Sequence, residues 1–341
     1  MKLKMSLPRT KMLDEAKKSK GHFVIVEILI FIAVFLAGSI MEILVIGVPY
    51  LKYLFGSEEY AAVSKAYYNG EITMEELTDR ISVIASNIPA YITLITLFAT
   101  IAATAVVFIY CRFIEKRKLS TLGFRKKNAL TEYIVGALVG AALFSLAVGI
   151  CLVTGALKYD GVSSIIEWGT LGLFLLGFLF QGMFEEVLVR GYFLVSLQRR
   201  VPAAAAIVIS SLAFAVLHLA NPGMSVLAFV NLFLFGVFAA VYMLKRGNIW
   251  GVCAVHSLWN FVQGNFYGIR VSGMGNLTTI FQMTSVESKP LFNGGDFGLE
   301  GGLSVTIVLV LATAAMLFTK TKESELAAER EYDEIDAVAA E

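Results

Sequence analysis

Long apolar stretches separated by charged connections dominate the chain. Eight such stretches lie near 23–49, 88–111, 132–154, 168–197, 203–219, 225–244, 248–265 and 303–319. At roughly 20 residues each, they can cross about 30 Å of hydrocarbon as helices. The pattern predicts an all-α fold, a polytopic integral membrane helical bundle of about eight transmembrane helices. Two hydrophilic insertions interrupt it. Segment 52–86 carries Glu58, Glu59, Glu71, Glu75, Glu76 and Asp79, and its Thr73-Met-Glu-Glu-Leu-Thr-Asp begins with a capping box that predicts a short surface helix. Segment 266–302 is rich in glycine and reads as a mobile loop. Five regions follow: a basic arm 1–22, two extra spans with an acidic loop in 23–130, a core 131–265, a loop and last span 266–319, and a charged tail 320–341 that reads as a solvated helix or disordered.

Composition agrees with a membrane class. Of 341 residues, 57% are hydrophobic and 16% charged, and the mean hydropathy is +0.73. The net charge of +1 conceals an asymmetry. Seven basic residues precede His22, and seven more lie between Arg112 and Lys127. If the spans alternate, Arg199, Arg200, Lys245, Arg246, Lys320, Lys322 and Arg330 share their side, whereas the other side receives only Lys52, Lys65, Arg80, Lys158, Arg270 and Lys289. The positive-inside bias then puts both termini and the loop after Arg112 in the cytoplasm of a multi-pass cell-membrane protein. This charge distribution reports topology and gives no support to nucleic-acid binding. The first stretch is too long for the apolar region of a signal peptide and reads as a retained span. Cys111, Cys151 and Cys253 lie in or beside apolar helices, with no metal-type spacing.

Polar residues inside the apolar stretches single out 168–265. Glu185 and Glu186 sit together in Gln181-Gly-Met-Phe-Glu-Glu-Val-Leu-Val-Arg190. Ionisable groups at such depth normally face a bundle interior or a wet cavity and mark function. Counted from the cytoplasmic ends at 1.5 Å per residue, Glu185 lies roughly 18 Å in, His218 roughly 24 Å, and His256 and Asn260 roughly 12 and 18 Å. Polar groups from three helices can therefore meet in one cavity. Phe214 and His218 share a helix face through their four-residue spacing, as do His256 and Asn260. Glu186 and Arg190 have the same spacing and can pair, leaving Glu185 the freer carboxylate.

One glutamate, two histidines and an asparagine, without a positioned serine or cysteine, offer the chemistry of an activated water. A carboxylate serves as general base, while an imidazole and a carboxamide donate to an oxyanion. The implied reaction is peptide hydrolysis in the membrane, with a membrane-associated protein or peptide and the lipid bilayer as partners. No cofactor or metal is expected. A zinc site built from two histidines and a glutamate is the second chemical reading, although the His-Glu-x-x-His arrangement is absent. Non-catalytic readings also stand, as a scaffold, immunity or secretion-accessory protein, or as a transporter, for which no internal repeat is visible.

The bland readings compete residue by residue. Glu186 with Arg190 can be a helix-positioning pair. Glu27 and Glu42 are expected near span ends, snorkelling or paired. Gly136, Gly140, Gly172, Gly177 and Gly182 are expected to permit close helix packing. Phe214 should pack beneath His218, while Trp250 and Trp259 receive no role.

Three motifs together carry a resemblance. Glu185-Glu186-Val-Leu-Val-Arg190 matches EExxxR, Phe214-Ala-Val-Leu-His218 matches FxxxH, and His256-Ser-Leu-Trp-Asn260 matches HxxxN. In this order on separate helices they resemble the CPBP family of intramembrane glutamic endopeptidases, the CAAX-protease and bacteriocin-processing group that includes the Rce1-type enzymes. The resemblance covers about 130–265 and implies that Glu185 and His218 bind and activate water. It further implies that His256 and Asn260 stabilise the oxyanion, and that Glu186 and Arg190 support the site. Rce1-type enzymes cut the C-terminal tripeptide from prenylated CAAX proteins. Nothing in the sequence indicates a prenylated substrate.

Overall fold

The computed structural model describes residues 10–19, 21–86, 88–275 and 278–319. The charged tail 320–341, with Lys320, Lys322 and Arg330, and the first nine residues of the basic arm lie outside these. The fold is mostly helical. A short α1 (Lys11–Lys17) precedes α2 (Val24–Gly56), and α3 (Glu58–Tyr68) and α4 (Met74–Ser86) form an external hairpin before α5 (Ala90–Ile109). After α6 (Ala129–Val153) and β1 (Leu157–Val162), α7 (Trp168–Glu186) runs through a π-helical stretch, Val187–Leu194, into α8 (Val195–Leu197). Then come α9 (Ala203–Leu217), α10 (Val226–Arg246), α11 (Trp250–Phe261) with a π-helical end, β2 (Phe281–Ser285), α12 (Pro290–Asn293) and α13 (Leu303–Phe318).

A helix stands at each of the eight predicted stretches, but among the described residues five helical segments are long and apolar enough to cross a membrane: 24–56, 90–114, 129–153, 168–197 and 226–246. Helices α9 and α13 are apolar but shorter, so a count of eight spans does not follow from length and composition. The predicted capping box is present at α4, where Thr73 N donates to Glu76 Oε2 at 2.8 Å and Glu76 N to Thr73 Oγ1 at 3.2 Å.

Ion pairs gather the basic connections at one end of the bundle. Arg199 bridges Glu27 at 3.0 Å and Glu115 at 2.5 Å, Arg117 bonds Ser196 at 3.0 Å, and Arg246 forks onto Glu132 at 2.6 and 2.7 Å. The other end carries the α3–α4 hairpin and a two-stranded antiparallel sheet in which Leu157 faces Ser285.

Three expectations need correction. Glu42 is not near a span end, because α2 continues past Pro49 to Gly56, where the hydroxyls of Tyr50 and Tyr53 bond the Ala85 and Ile84 carbonyls of α4. The described part of 266–302 is a built cap rather than a mobile loop. Its β2 pairs with β1, Asn293 donates to the carbonyls of Ala156 and Val286 at 2.9 Å, and Gly294 and Gly298 take φ of +78° and +88° in tight turns. Glycine content there encodes backbone geometry. Gly172 faces open space, whereas a side chain at Gly136 or Gly140 would collide with the backbone of Gly251 or Val255 in α11. Gly177 and Gly182 are close-packed as expected, against Leu97 and Ser257. The contact at Gly140 lies one residue from His256, so the small-residue face of α6 fixes where α11 presents its polar side chains.

Candidate functional site

Helix α7 delivers the two glutamates to different surroundings because successive helical residues point about 100° apart. Glu186 is fully buried. Its Oε1 accepts from Arg190 Nη1 at 2.9 Å and from His256 Nδ1 at 2.8 Å. Glu185 opens on a cavity of about 300 Å³. One oxygen is held by the Gln181 carboxamide one turn earlier, and Oε2 lies 3.7 Å from Nε2 of both His218 and His256. Those gaps exceed a direct hydrogen bond and suit a bridging water.

Each histidine is oriented from behind. His218 follows the last residue of α9, and its Nδ1 donates to the Phe214 carbonyl at 2.8 Å, since a carbonyl can only accept. His256 Nδ1 donates to Glu186. Both rings thereby turn Nε2 toward Glu185. The Phe214 ring packs against His218, with centroids 4.6 Å apart, as expected. It also sits 4.4 Å from the Arg190 guanidinium, a contact that helps hold a cation whose Nε and Nη2 donate to no partner in the protein.

Asn260 lies one turn beyond His256 on the same face and donates to Gln181 Oε1 at 2.9 Å. Gln181 thus links α11 to the Glu185 carboxylate. The structure brings Glu185, His218, His256 and Asn260 to the cavity wall, and sets Glu186 and Arg190 behind it. Among the described residues, no group of three His, Cys, Asp or Glu side chains has the arrangement of a metal site.

Among the polar residues on the cavity wall to which the sequence reading assigned no role are Gln181, Glu300 and Glu42. Gln181 carried a usable signal, its four-residue spacing to Glu185. Glu300 comes from the glycine-rich cap, where its carboxylate accepts from Ser272 N at 2.8 Å, Ser272 Oγ at 2.7 Å, and Gln263 and Trp259 at 3.3 Å. Glu42 arrives from α2. Trp259 is therefore a core residue anchoring the cap, while Trp250 bonds the Arg125 carbonyl at 2.9 Å at the basic end.

Residues 167–262 match the family described as Type II CAAX prenyl endopeptidase Rce1-like. Comparisons with curated proteins and with solved structures gave no match. The matched segment begins at the residue before α7 and ends just past Phe261, and so contains every residue of the three motifs. The chain therefore carries an Rce1-like domain, consistent with a CPBP-type CAAX protease, a family of intramembrane endopeptidases.

Proposed function

We propose that the chain is an intramembrane endopeptidase in which Glu185 activates water against a peptide carbonyl of a membrane-associated substrate. The observation that carries this reading is the convergence of Glu185 Oε2 with two imidazole Nε2 atoms, 3.7 Å from each, on the wall of a cavity. With its Nδ1–H committed to Phe214, neutral His218 presents a lone pair at Nε2. A water between it and Glu185 donates one hydrogen to each and leaves an oxygen lone pair free to attack. As the C–O bond forms, Glu185 takes the proton, then delivers it to the departing amine as the C–N bond breaks. The products are one new carboxylate and one new amine.

Oxyanion stabilisation falls to His256 and Asn260. Donation by His256 needs a hydrogen on Nε2 while Nδ1–H stays on Glu186, so the ring acts as an imidazolium whose charge Glu186 balances. Glu186 and Arg190 serve the site by holding that ring. The mechanism uses no metal. The charge bias supports a multi-pass protein with both termini and loop 112–130 in the cytoplasm. The motif-bearing core 131–265 would then act as the proteolytic unit, with the two preceding spans and the last span packed around it.

The test is cleavage of a library of membrane-inserted peptides by the purified full chain in nanodiscs, followed by mass spectrometry in ¹⁸O-water. Hydrolysis should place one ¹⁸O in the new carboxylate. A folded chain that yields no product across the library would remove the protease reading.

A further inference from the structure

Glu42 lies outside the Rce1-like segment, yet α2 brings it to the wall that carries Glu185. The alignment of the two helices explains how. Glu27 of α2 meets Arg199, just beyond α8, at 3.0 Å. From that pair, fifteen residues along α2 lead to Glu42, and fourteen back through α8 and the π-helical stretch to the end of α7 lead to Glu185, so that both side chains line the same cavity.

The Glu42 carboxylate has no evident structural task. Its Oε1 is buried and accepts no hydrogen bond. The nearby hydroxyls of Thr96 and Thr100 donate to the Ile92 and Leu97 carbonyls of their own helix, at 3.0 and 2.6 Å. Among the described residues lining the cavity there is no lysine or arginine, while Glu42, Glu185 and Glu300 all contribute to its wall. Of these, Glu300 is satisfied by neutral donors from the cap and Glu185 by Gln181 on one side. Glu42 alone faces the cavity with neither donor nor countercharge. An intramembrane carboxylate without a partner is costly, and a cation brought beside it in a low-dielectric site is strongly attracted.

We propose that Glu42 is a specificity subsite that selects a lysine or arginine side chain of the peptide bound beside Glu185. The proposal rests on the cavity being the peptide-binding site. Apolar wall residues such as Phe35, Phe178 and Leu217 receive the stem of such a side chain, and its charged end meets Glu42. The same charge distribution disfavours a free peptide carboxylate in this cavity, so the preferred cut lies within a chain bearing a basic residue rather than at a bare C-terminus.

The test measures binding and cleavage separately, on the full chain in nanodiscs. Apolar peptides of about 20 residues, each with one lysine at successive positions, are compared with norleucine counterparts by fluorescence anisotropy. At one register, wild type should bind the lysine peptide about tenfold more tightly, a preference lost in Glu42→Gln and moved to glutamate-bearing peptides in Glu42→Lys. Absence of a lysine preference in wild type, or its persistence in Glu42→Gln, would overturn the proposal. If Glu42→Lys fails to fold, the Glu42→Gln comparison still decides. Lysine preference without cleavage would sink the hydrolytic reading and leave the subsite standing; cleavage without lysine preference would do the reverse.

Discussion

Glu186 offers the sharpest separation between holding a site together and running it. Its carboxylate is wholly buried and shared by Arg190 at 2.9 Å and His256 at 2.8 Å, and two other guanidinium nitrogens of Arg190 have no hydrogen-bond partner. Glu186→Gln leaves a buried guanidinium without its countercharge, a change that typically costs about 3–5 kcal/mol. Removing both charges in Glu186→Gln/Arg190→Met eliminates the stranded ion and should recover most of that loss. Activity should not follow. Without the carboxylate behind it, His256 loses the countercharge for its imidazolium, and an oxyanion donor of this kind is worth roughly 10²–10³ in turnover. Thermal unfolding in detergent gives the stability of wild type, both single variants and the double variant, and peptide cleavage gives kcat. Stability losses that simply add in the double variant, or wild-type turnover in Glu186→Gln, would refute the reasoning.

The remaining predictions concern the oxyanion, topology and metal. His256→Ala and Asn260→Ala should each lower kcat by roughly 10²–10³ with little change in KM, because the interactions they remove strengthen only as charge develops; steady-state kinetics with equal losses in KM would point to substrate binding instead. Cysteine-accessibility labelling of intact cells should reach positions in 52–86 and 278–300 from outside, and positions in 112–130 only after permeabilisation; outside labelling of 112–130 would invert the topology. Chain stripped with chelator and assayed in metal-free detergent should remain active and contain well under one zinc per chain by elemental analysis. Stoichiometric zinc together with zinc-restored activity would replace the carboxylate mechanism with a metal-bound water.

What could be read in the sequence was governed by distance along the chain. Runs of about 20 apolar residues report helices directly, and four-residue spacings report shared faces, so the pairs Glu186–Arg190, Phe214–His218 and His256–Asn260 were legible in advance. Depth arithmetic at the α-helical rise gave three helices' polar groups overlapping levels, although the stretch after Glu186 is π-helical. Features that depend on alignment between distant helices were invisible. Glu42 looked like a boundary residue because the apolar run thins after Pro49, yet two tyrosines carry α2 onward to bond α4. Its level beside Glu185 is set by the contact of Glu27 with Arg199, 172 residues apart. The glycines of 266–302 looked like mobility because composition alone does not distinguish a slack loop from one whose turns require positive φ. The carboxylate of Glu300 reaches the cavity only because that cap is folded. Gln181 was within reach, being one turn from Glu185, but nothing along α7 indicated that Asn260 would meet its other end.

The central claim is that the Glu185 carboxylate is the base that activates water. The most direct measurement is the single-turnover cleavage rate of a peptide substrate by Glu185→Gln against wild type, with both proteins shown to be folded and to bind the peptide equally. Glutamine preserves the shape and the bond to Gln181 but cannot take the proton, so the account predicts retained binding and a rate lowered by roughly 10²–10⁴ or more. Cleavage by Glu185→Gln at the wild-type rate would contradict it.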